Sequence, residues 1–540
     1  MRESIIVVIF LFGCFLQPAM SQAVYRTGNA DPVNTRHVQG VVLAGGATDN
    51  DDAMRWMLRQ ADGGDIVVLR ASGSDGYNNY FYSGLGVNVN SVTSIVITSQ
   101  GHANSQQVLD IVKEAEVVFI AGGNQWNYLR YWRDTELLTL LNELVNDKKI
   151  TIGGTSAGMA ILGEVVFSAE NNTIWSSEAL GDPFHWRMKL EKDFLQIPYM
   201  EFTVTDTHYN REETDGFGRK GRHFAFLARM VGDWRMHARG IACNEYTAVA
   251  IDERGVAKVF GNPDHDDYAY FLQAYEGDPE HNEEGVPLDW NNNRKAVRVY
   301  KIKGDHEGSN RFDLNNWVNG RGGKWEYWYV DKGTLVEREA VQYATWLQVR
   351  IFEESEKKTV GEAQVSLSGY EPATTSSFGV VNYESLQPGT LPELYVEKEG
   401  YLPWEGNVPI DTVNIAIEIY IERDQTNYSL RSGDQSSFRI FPNPAVDIIW
   451  IDPGPGQEEF LRDHIPVPTT LDERALYQGD VRLIIRSASG SLVEILRTGC
   501  CSGSPVPINI SHLPDGVYFI EIAGRKSRAV KKFVKSGYQP

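Results

Sequence analysis

At 540 residues the chain is too long for one ordinary domain, and two to four domains are expected. Its formal net charge of -21 argues against nucleic-acid binding, which needs a basic footprint. Apolar residues make up 42% and charged residues 23%, which excludes wholesale disorder.

The chain opens like an export signal. Arg2 supplies a positive start, and Ile5 to Leu16 is an apolar stretch too short to span a bilayer. Ala19-Met20-Ser21 and Ser21-Gln22-Ala23 both offer small residues at cleavage spacing, which gives a signal peptide over 1–23. Leu11-Phe12-Gly13-Cys14 has the form of a lipoprotein box, but apolar residues continue past Cys14. No later run is long enough for a transmembrane helix, so no integral membrane segment is expected after signal removal. With Cys14 gone, Cys243, Cys500 and Cys501 remain; adjacent cysteines pair poorly, and the three are expected to be structural thiols.

From about residue 38, short apolar runs alternate with helical stretches. Gly40 to Gly46, Asp65 to Leu69, Val92 to Thr98, Glu116 to Ile120 and Lys149 to Gly153 are predicted strands, and three of them end in glycines. Ser105 to Glu114 and Thr135 to Asn146 are predicted helices. Continuous apolar strands between helices mean a parallel sheet covered on both faces, with its site at the carboxyl ends of the strands.

Near residue 345 the pattern changes to strict alternation, as in Trp346 to Ile351, Ala363 to Leu367 and Ile415 to Ile421, which predicts a small antiparallel sandwich over 344–425. Residues 426–437 are polar and form a linker. The module over 438–540 opens on Phe441-Pro442-Asn443-Pro444-Ala445 and closes on Leu513-Pro514-Asp515-Gly516-Val517-Tyr518-Phe519-Ile520-Glu521-Ile522. It resembles the C-terminal sorting domain of type IX secretion substrates, with 453–478 as an insertion. The resemblance implies type IX secretion machinery as a partner and export through the periplasm of a Gram-negative bacterium to the cell surface or medium.

Gly154-Thr155-Ser156-Ala157-Gly158 follows the fifth strand and precedes an apolar segment, Met159 to Leu162. Strand, G-x-S-x-G and helix form a nucleophile elbow, in which the glycines allow a sharp turn that pushes Ser156 Oγ out of the sheet. A serine hydroxyl needs a base. Candidates are His208, just after the strand Thr203 to Asp206, and Glu245, between apolar runs in Gly240 to Ile251. By composition alone, a capped loop histidine and a structural ion pair are the better accounts of these two.

Three segments resemble the cyanophycinase and aspartyl dipeptidase (peptidase E) family over residues 38 to 260. They are Gly154 to Gly158, Asp206-Thr207-His208-Tyr209 and Gly240 to Ala248, with Gly122-Gly123-Asn124-Gln125 as a fourth match. The resemblance implies a catalytic domain over 38–343. The fold class is then α/β, a mostly parallel sheet flanked by helices of the class I glutamine amidotransferase-like or flavodoxin-like kind, followed by two small all-β sandwich modules. It implies a serine peptidase with Ser156 as nucleophile, His208 as base and Glu245 as orienting acid. The Ala157 and Gly123 N–H groups would form the oxyanion hole, and Gln125, Asp206, Arg219 and Arg222 would hold a peptide or polymer substrate near aspartyl residues.

Two departures bear on substrate choice. Glu212 to Gly218 is extra sequence ahead of Arg219 and Arg222, and Asn244 stands where the family has aspartate. His102 and Asp264-His265-Asp266-Asp267 lack metal-site spacing, and neither metal nor cofactor is expected. A homodimer is left open. The competing readings are an α/β-hydrolase esterase drawing its base from His281 or His306, and a non-catalytic surface binding protein.

Overall fold

The computed structural model describes residues 23–211, 217–339, 345–410 and 414–423, and from residue 439 a set of strands with a few adjoining residues. The signal segment and Cys14, the insertion at 212–216, the linker, most of the FPNPA opening, and Cys500 and Cys501 lie outside the described residues. The chain divides into two compact units, residues 1–425 and 426–540.

In the first unit, β1 (Val24–Gly28), β2 (Gly40–Ala44), β3 (Asp65–Arg70), β4 (Ser91–Val96), β5 (Val117–Ile120) and β6 (Thr151–Thr155) lie in the order β1-β4-β3-β5-β6-β2. All neighbours except β1 are parallel. β2 to β6 are buried almost throughout because helices cover both faces, and apolar residues dominate β2, β3 and β5. On one face α1 (Asp51–Gln60) seats Met54 and Met57 against Val42 and Phe119. Its N-terminus is capped by the Asn50 side chain and carries Asp51 and Asp52 in the first turn, where the helix dipole favours negative charge. On the other face Tyr128, Leu129, Trp132 and Leu141 cover Val41, Val118 and Ile152.

A second, six-stranded sheet was not foreseen. Its strands are Thr203–Asp206, Arg239–Cys243, Tyr268–Ala274, Val297–Lys303, Gly323–Asp331 and Thr334–Glu339, antiparallel except for the first pair. The helix Lys220–Trp234 packs its apolar side, including Phe224 and Leu227, into the core beside this sheet. After Cys243 the chain leaves this sheet and, as Ala248–Ile251, joins the first one antiparallel to β2. The short crossing carries Glu245 to the carboxyl end of β2.

Trp346–Glu353 pairs with Val380–Glu384 and, in parallel, with Ile415–Ile421; four further strands complete the all-β part. It is bound closely to the second sheet. Arg298 lies with its Cζ 4.1 Å from the Trp325 ring centre and 3.7 Å from that of Trp346, and the Tyr275 and Tyr327 hydroxyls both donate to Glu384 at 2.7 Å. The second unit is antiparallel β, with Asp480–Ser487 between Leu492–Gly499 and Gly516–Ala523.

Candidate active site

Ser156 leaves β6 with φ +51°, a left-handed conformation that non-glycine residues adopt at a cost. The turn is tight on both sides. A Cβ at Gly158 would stand 2.1 Å from the Ile120 carbonyl oxygen, and one at Gly154 would stand 2.4 Å from the Gly158 carbonyl carbon. Only glycine fits either place. The helix expected behind the serine is a correction: Met159–Ile161 is a single 3₁₀ turn, after which the chain returns to extended structure at Val166–Phe167. Backbone N–H groups of the turn itself, rather than a long helix dipole, therefore face the serine.

Ser156 Oγ lies 2.9 Å from His208 Nε2, and His208 Nδ1 lies 2.6 Å from Glu245 Oε1. The three residues come from three chain segments, and the tail of β2 aligns them. The Ser156 N–H donates to the Ala44 carbonyl at 3.0 Å, that of His208 to Gly45 at 2.8 Å, and that of Tyr246 to Gly46 at 3.1 Å. Three successive carbonyls thus fix the backbones of nucleophile, imidazole and carboxylate. The Glu245 N–H donates to Asn210 Oδ1 at 3.1 Å. Sequence reasoning noted Gly45-Gly46 as a strand-end turn but missed this role; the signal was the pair of glycines at a carboxyl end.

The surroundings keep the imidazole neutral. Burial lowers the His208 pKa below its usual 6.5; the hydrogen bond that Nδ1–H donates to Glu245 raises it, Arg219 and Arg211 lower it, and the net direction is down. A base works in its neutral form, so the acid limb of the kcat/KM profile for acyl transfer is expected below pH 6.5. Glu245→Gln removes the largest opposing contribution and is expected to move that limb further down, together with a large loss of rate. A limb at or above 6.5 in the unmutated protein would contradict this.

Beside the triad is a cavity of about 390 Å³ lined among others by Gly123, Gln125, Ala157, Asp206, Arg219 and Arg222. The Ala157 and Gly123 N–H groups have no backbone acceptor among the described residues. Gln125 begins the helix Gln125–Trp132 and makes one long bond, to the Phe167 carbonyl at 3.4 Å. Phe167, Ala169, Asn172 and Thr173 add a wall that sequence reasoning did not identify.

The two arginines differ. Arg222 is buried and its fork is already engaged: Nε and Nη2 donate to Asp206 at 2.9 and 2.5 Å, and Nη1 donates to Thr173 Oγ1 and the Ile174 carbonyl. Arg222, expected among the residues that hold substrate, thus has its fork taken up by the protein itself. Burial alone would push the Asp206 carboxyl up; Arg222 and then Arg219 overturn this and hold it below the usual carboxylate range. Arg219 donates through Nη1 to Thr207, while its buried Nε has no partner. Burial and the neighbouring Arg222 pull its pKa down to about 9, so an anion beside it would be welcome.

Asn244 is buried and donates to the Asp266 carbonyl at 2.6 Å, which makes it an anchor of the crossing segment rather than a wall of the cavity. His281 pairs its backbone with Asp289, and His306 Nδ1 lies 3.0 Å from Asp52, so the base bonded to Ser156 is His208 and neither of these.

Residues 68–181 match the family model described as Peptidase family S51. The α/β domain is S51-like. Cyanophycinases from Synechococcus elongatus and Thermosynechococcus vestitus are each 27% identical to the chain over 177 residues, which is 32% of this chain and 48% of the relative. The chain thus spans about half the length of the curated relatives it matches. A peptidase from an acI-B1 Actinobacterium aligns at 12% identity over 52% of this chain and 98% of that one, with a TM-score of 0.34, too low to say anything of function. Residues 439–536 match a secretion system C-terminal sorting domain, which follows the S51-like domain and marks the protein for export to the cell surface or medium.

Proposed function

We propose that the S51-like domain is a serine peptidase that cleaves peptide or isopeptide bonds next to aspartyl residues through an acyl-enzyme on Ser156. The observation that carries this is the unbroken chain Ser156 Oγ, His208, Glu245 beside two N–H groups without backbone acceptors. As Oγ attacks the acyl carbon, its proton passes to His208 Nε2, and the Ala157 and Gly123 N–H groups receive the oxyanion. Collapse breaks the C–N bond, and the same proton goes to the leaving amine. Water then attacks the ester, gives its proton to His208 and releases the acid as Ser156 recovers a proton. Glu245 holds the ring tautomer and stabilises the imidazolium. Removing one oxyanion donor typically costs about a hundredfold to a thousandfold in rate.

The substrate class follows from charge. Arg219 lines the cavity with Nη1 on Thr207 and 3.8 Å from Asp206 and with its Nε unpartnered, whereas the Arg222 fork is closed on Asp206. We assign Arg219, with Gln125 near it, to an acidic group of the substrate. Arg219→Ala is expected to lower kcat/KM on β-aspartyl peptides by about one to two decades and to spare a neutral activated ester. Arg222→Ala strips the buried Asp206 of its closest ion pair and leaves it only Arg219, at 3.8 Å; it is expected to destabilise the fold by about 3 kcal/mol and to reduce turnover of both substrates alike. Equal losses on both substrates for Arg219→Ala would refute the assignment.

The function is tested with the exported protein on cyanophycin, β-Asp-Arg, isoaspartyl peptides and simple esters side by side. Cleavage of the aspartyl substrates through Ser156 is the expected result. Ester hydrolysis alone would mean an esterase, and inertness to every substrate would mean a binding protein.

A further inference from the structure

Behind Ser156, on the side of β6 that faces α1, is a polar group buried among apolar residues. Gly153 abuts Met57 and Phe119, and Thr155, two residues on, turns its side chain to the same face. Asp49, just ahead of the α1 cap, is held on this face by Tyr77, which packs on the same Phe119 that Gly153 abuts. The Tyr77 hydroxyl donates to Asp49 Oδ2 at 2.7 Å, and the Tyr77 ring is held against Phe81 and Phe119, with centroids 5.1 Å apart in both pairs. The remaining oxygen, Asp49 Oδ1, is sealed from solvent without a hydrogen-bond partner, and so is Thr155 Oγ1. The Thr155 hydroxyl pulls the Asp49 pKa down, although burial, the larger effect, leaves it raised overall.

A buried carboxyl with one idle oxygen costs free energy that an apolar side chain there would not. The neighbouring serine gives it a use. Ser156 sits in a left-handed turn that persists only if its surroundings over-determine it. The Ala44 carbonyl holds the turn from one side through the Ser156 N–H. On the α1 face, Thr155 is the last residue of β6 before the nucleophile.

We propose that Asp49 is a positioning residue for the nucleophile: fixed by Tyr77, its carboxyl receives the Thr155 hydroxyl and so holds the turn that presents Ser156 to His208. The inference rests on the reading of Ser156 as nucleophile. Asp49 lies outside the cavity lining and touches no substrate. Its action is on the rate of acylation rather than on binding.

The test follows phosphonylation of Ser156 by a fluorophosphonate, with kcat and KM on an aspartyl peptide, pH profiles and thermal unfolding, in the full chain. Asp49→Ala and Thr155→Val are each expected to slow phosphonylation and kcat by about tenfold to a hundredfold with KM nearly unchanged and the acid limb unmoved. The double variant is expected to be no slower than the worse single one, because the two act through one contact. Asp49→Asn, whose amide can donate to Thr155 and still accept from Tyr77, is expected to restore most of the rate. If Asp49→Ala fails to fold, Tyr77→Phe, which keeps the ring packing, is expected to slow phosphonylation several-fold. Native rates in folded variants, additive losses, or an Asn variant as slow as the Ala variant would overturn the proposal. An unmutated chain that no fluorophosphonate labels overturns the Ser156 reading and this inference together. A labelled chain indifferent to Asp49 overturns this inference alone.

Discussion

Ser156→Ala is expected to leave a folded protein whose kcat falls by roughly four to six decades, to the level that oxyanion stabilisation and binding alone sustain. The reason is geometric. Ser156 Oγ is bonded to His208 Nε2, and the ring's other nitrogen is already committed to Glu245. Removing Oγ therefore leaves a base with nothing to activate. His208→Ala is expected to cost nearly as much, and the double variant no more than either single one, because the two groups perform one proton transfer. Folding should survive, since the turn is held by the Ala44 carbonyl and by the close packing of Gly154 and Gly158 rather than by the hydroxyl. Fluorophosphonate labelling followed by peptide mapping checks the assignment independently of any substrate. Label on another serine, or additive losses, would show that the pair does not share the chemistry.

Gly46→Ala is expected to cost activity heavily although it changes no group that reacts. A methyl group there would stand 2.5 Å from His208 Cε1 and 2.6 Å from Nε2, too close for the ring to stay where it is, and a tight 3.1 Å from Ser156 Cβ. The ring must move by about 1 Å, and a misplacement of that size costs on the order of a hundredfold in rate. The residue also has φ +101°, so alanine adds backbone strain of about 1–3 kcal/mol. Gly63→Ala separates the two effects. It carries a similar strain at φ +83°, but its Cβ would meet nothing within 4 Å. It is expected to lower the melting temperature modestly and leave kcat unchanged. If Gly46→Ala retains most of its activity, the imidazole tolerates a displacement that this geometry forbids.

The parallel core was legible because burial on both faces leaves unbroken apolar runs. Val41–Ala44, Ile66–Leu69 and Val117–Ile120 are strands in a setting that permits nothing else. The alternating strands Gln364–Leu367 and Ile415–Ile421 were legible for the complementary reason, one face more covered than the other, whereas Trp346–Glu353 alternates in sequence yet is buried on both faces, with Gln348 and Arg350 packed inside. The six-stranded sheet was not. Its strands mix buried polar residues such as Gln273 and Arg298 into apolar runs, and these find partners in the Trp317 carbonyl and in aromatic rings contributed by distant segments. Periodicity cannot register a polar side chain whose partner is supplied by tertiary packing. The edge strand β1 was hidden for a related reason: it pairs with β4 along one side only and is largely exposed.

The sequence by itself determined the glycine-bounded turn at Ser156, because only residues without a Cβ fit beside the Ile120 and Gly158 backbones. What only the tertiary structure decided is which charged group faces which. Arg219 and Arg222 are three residues apart and alike in the sequence, yet Arg222 enters the fold aimed at Asp206, sixteen residues away, while the Arg219 Nε is left without a partner beside the cavity. His208 likewise reaches Ser156 across 52 residues and Glu245 across 37. A hydrogen bond forms only within about 3 Å. Residue type sets what each group can donate or accept, but that last distance is fixed by how strand ends from two sheets meet over the carbonyls of Ala44, Gly45 and Gly46.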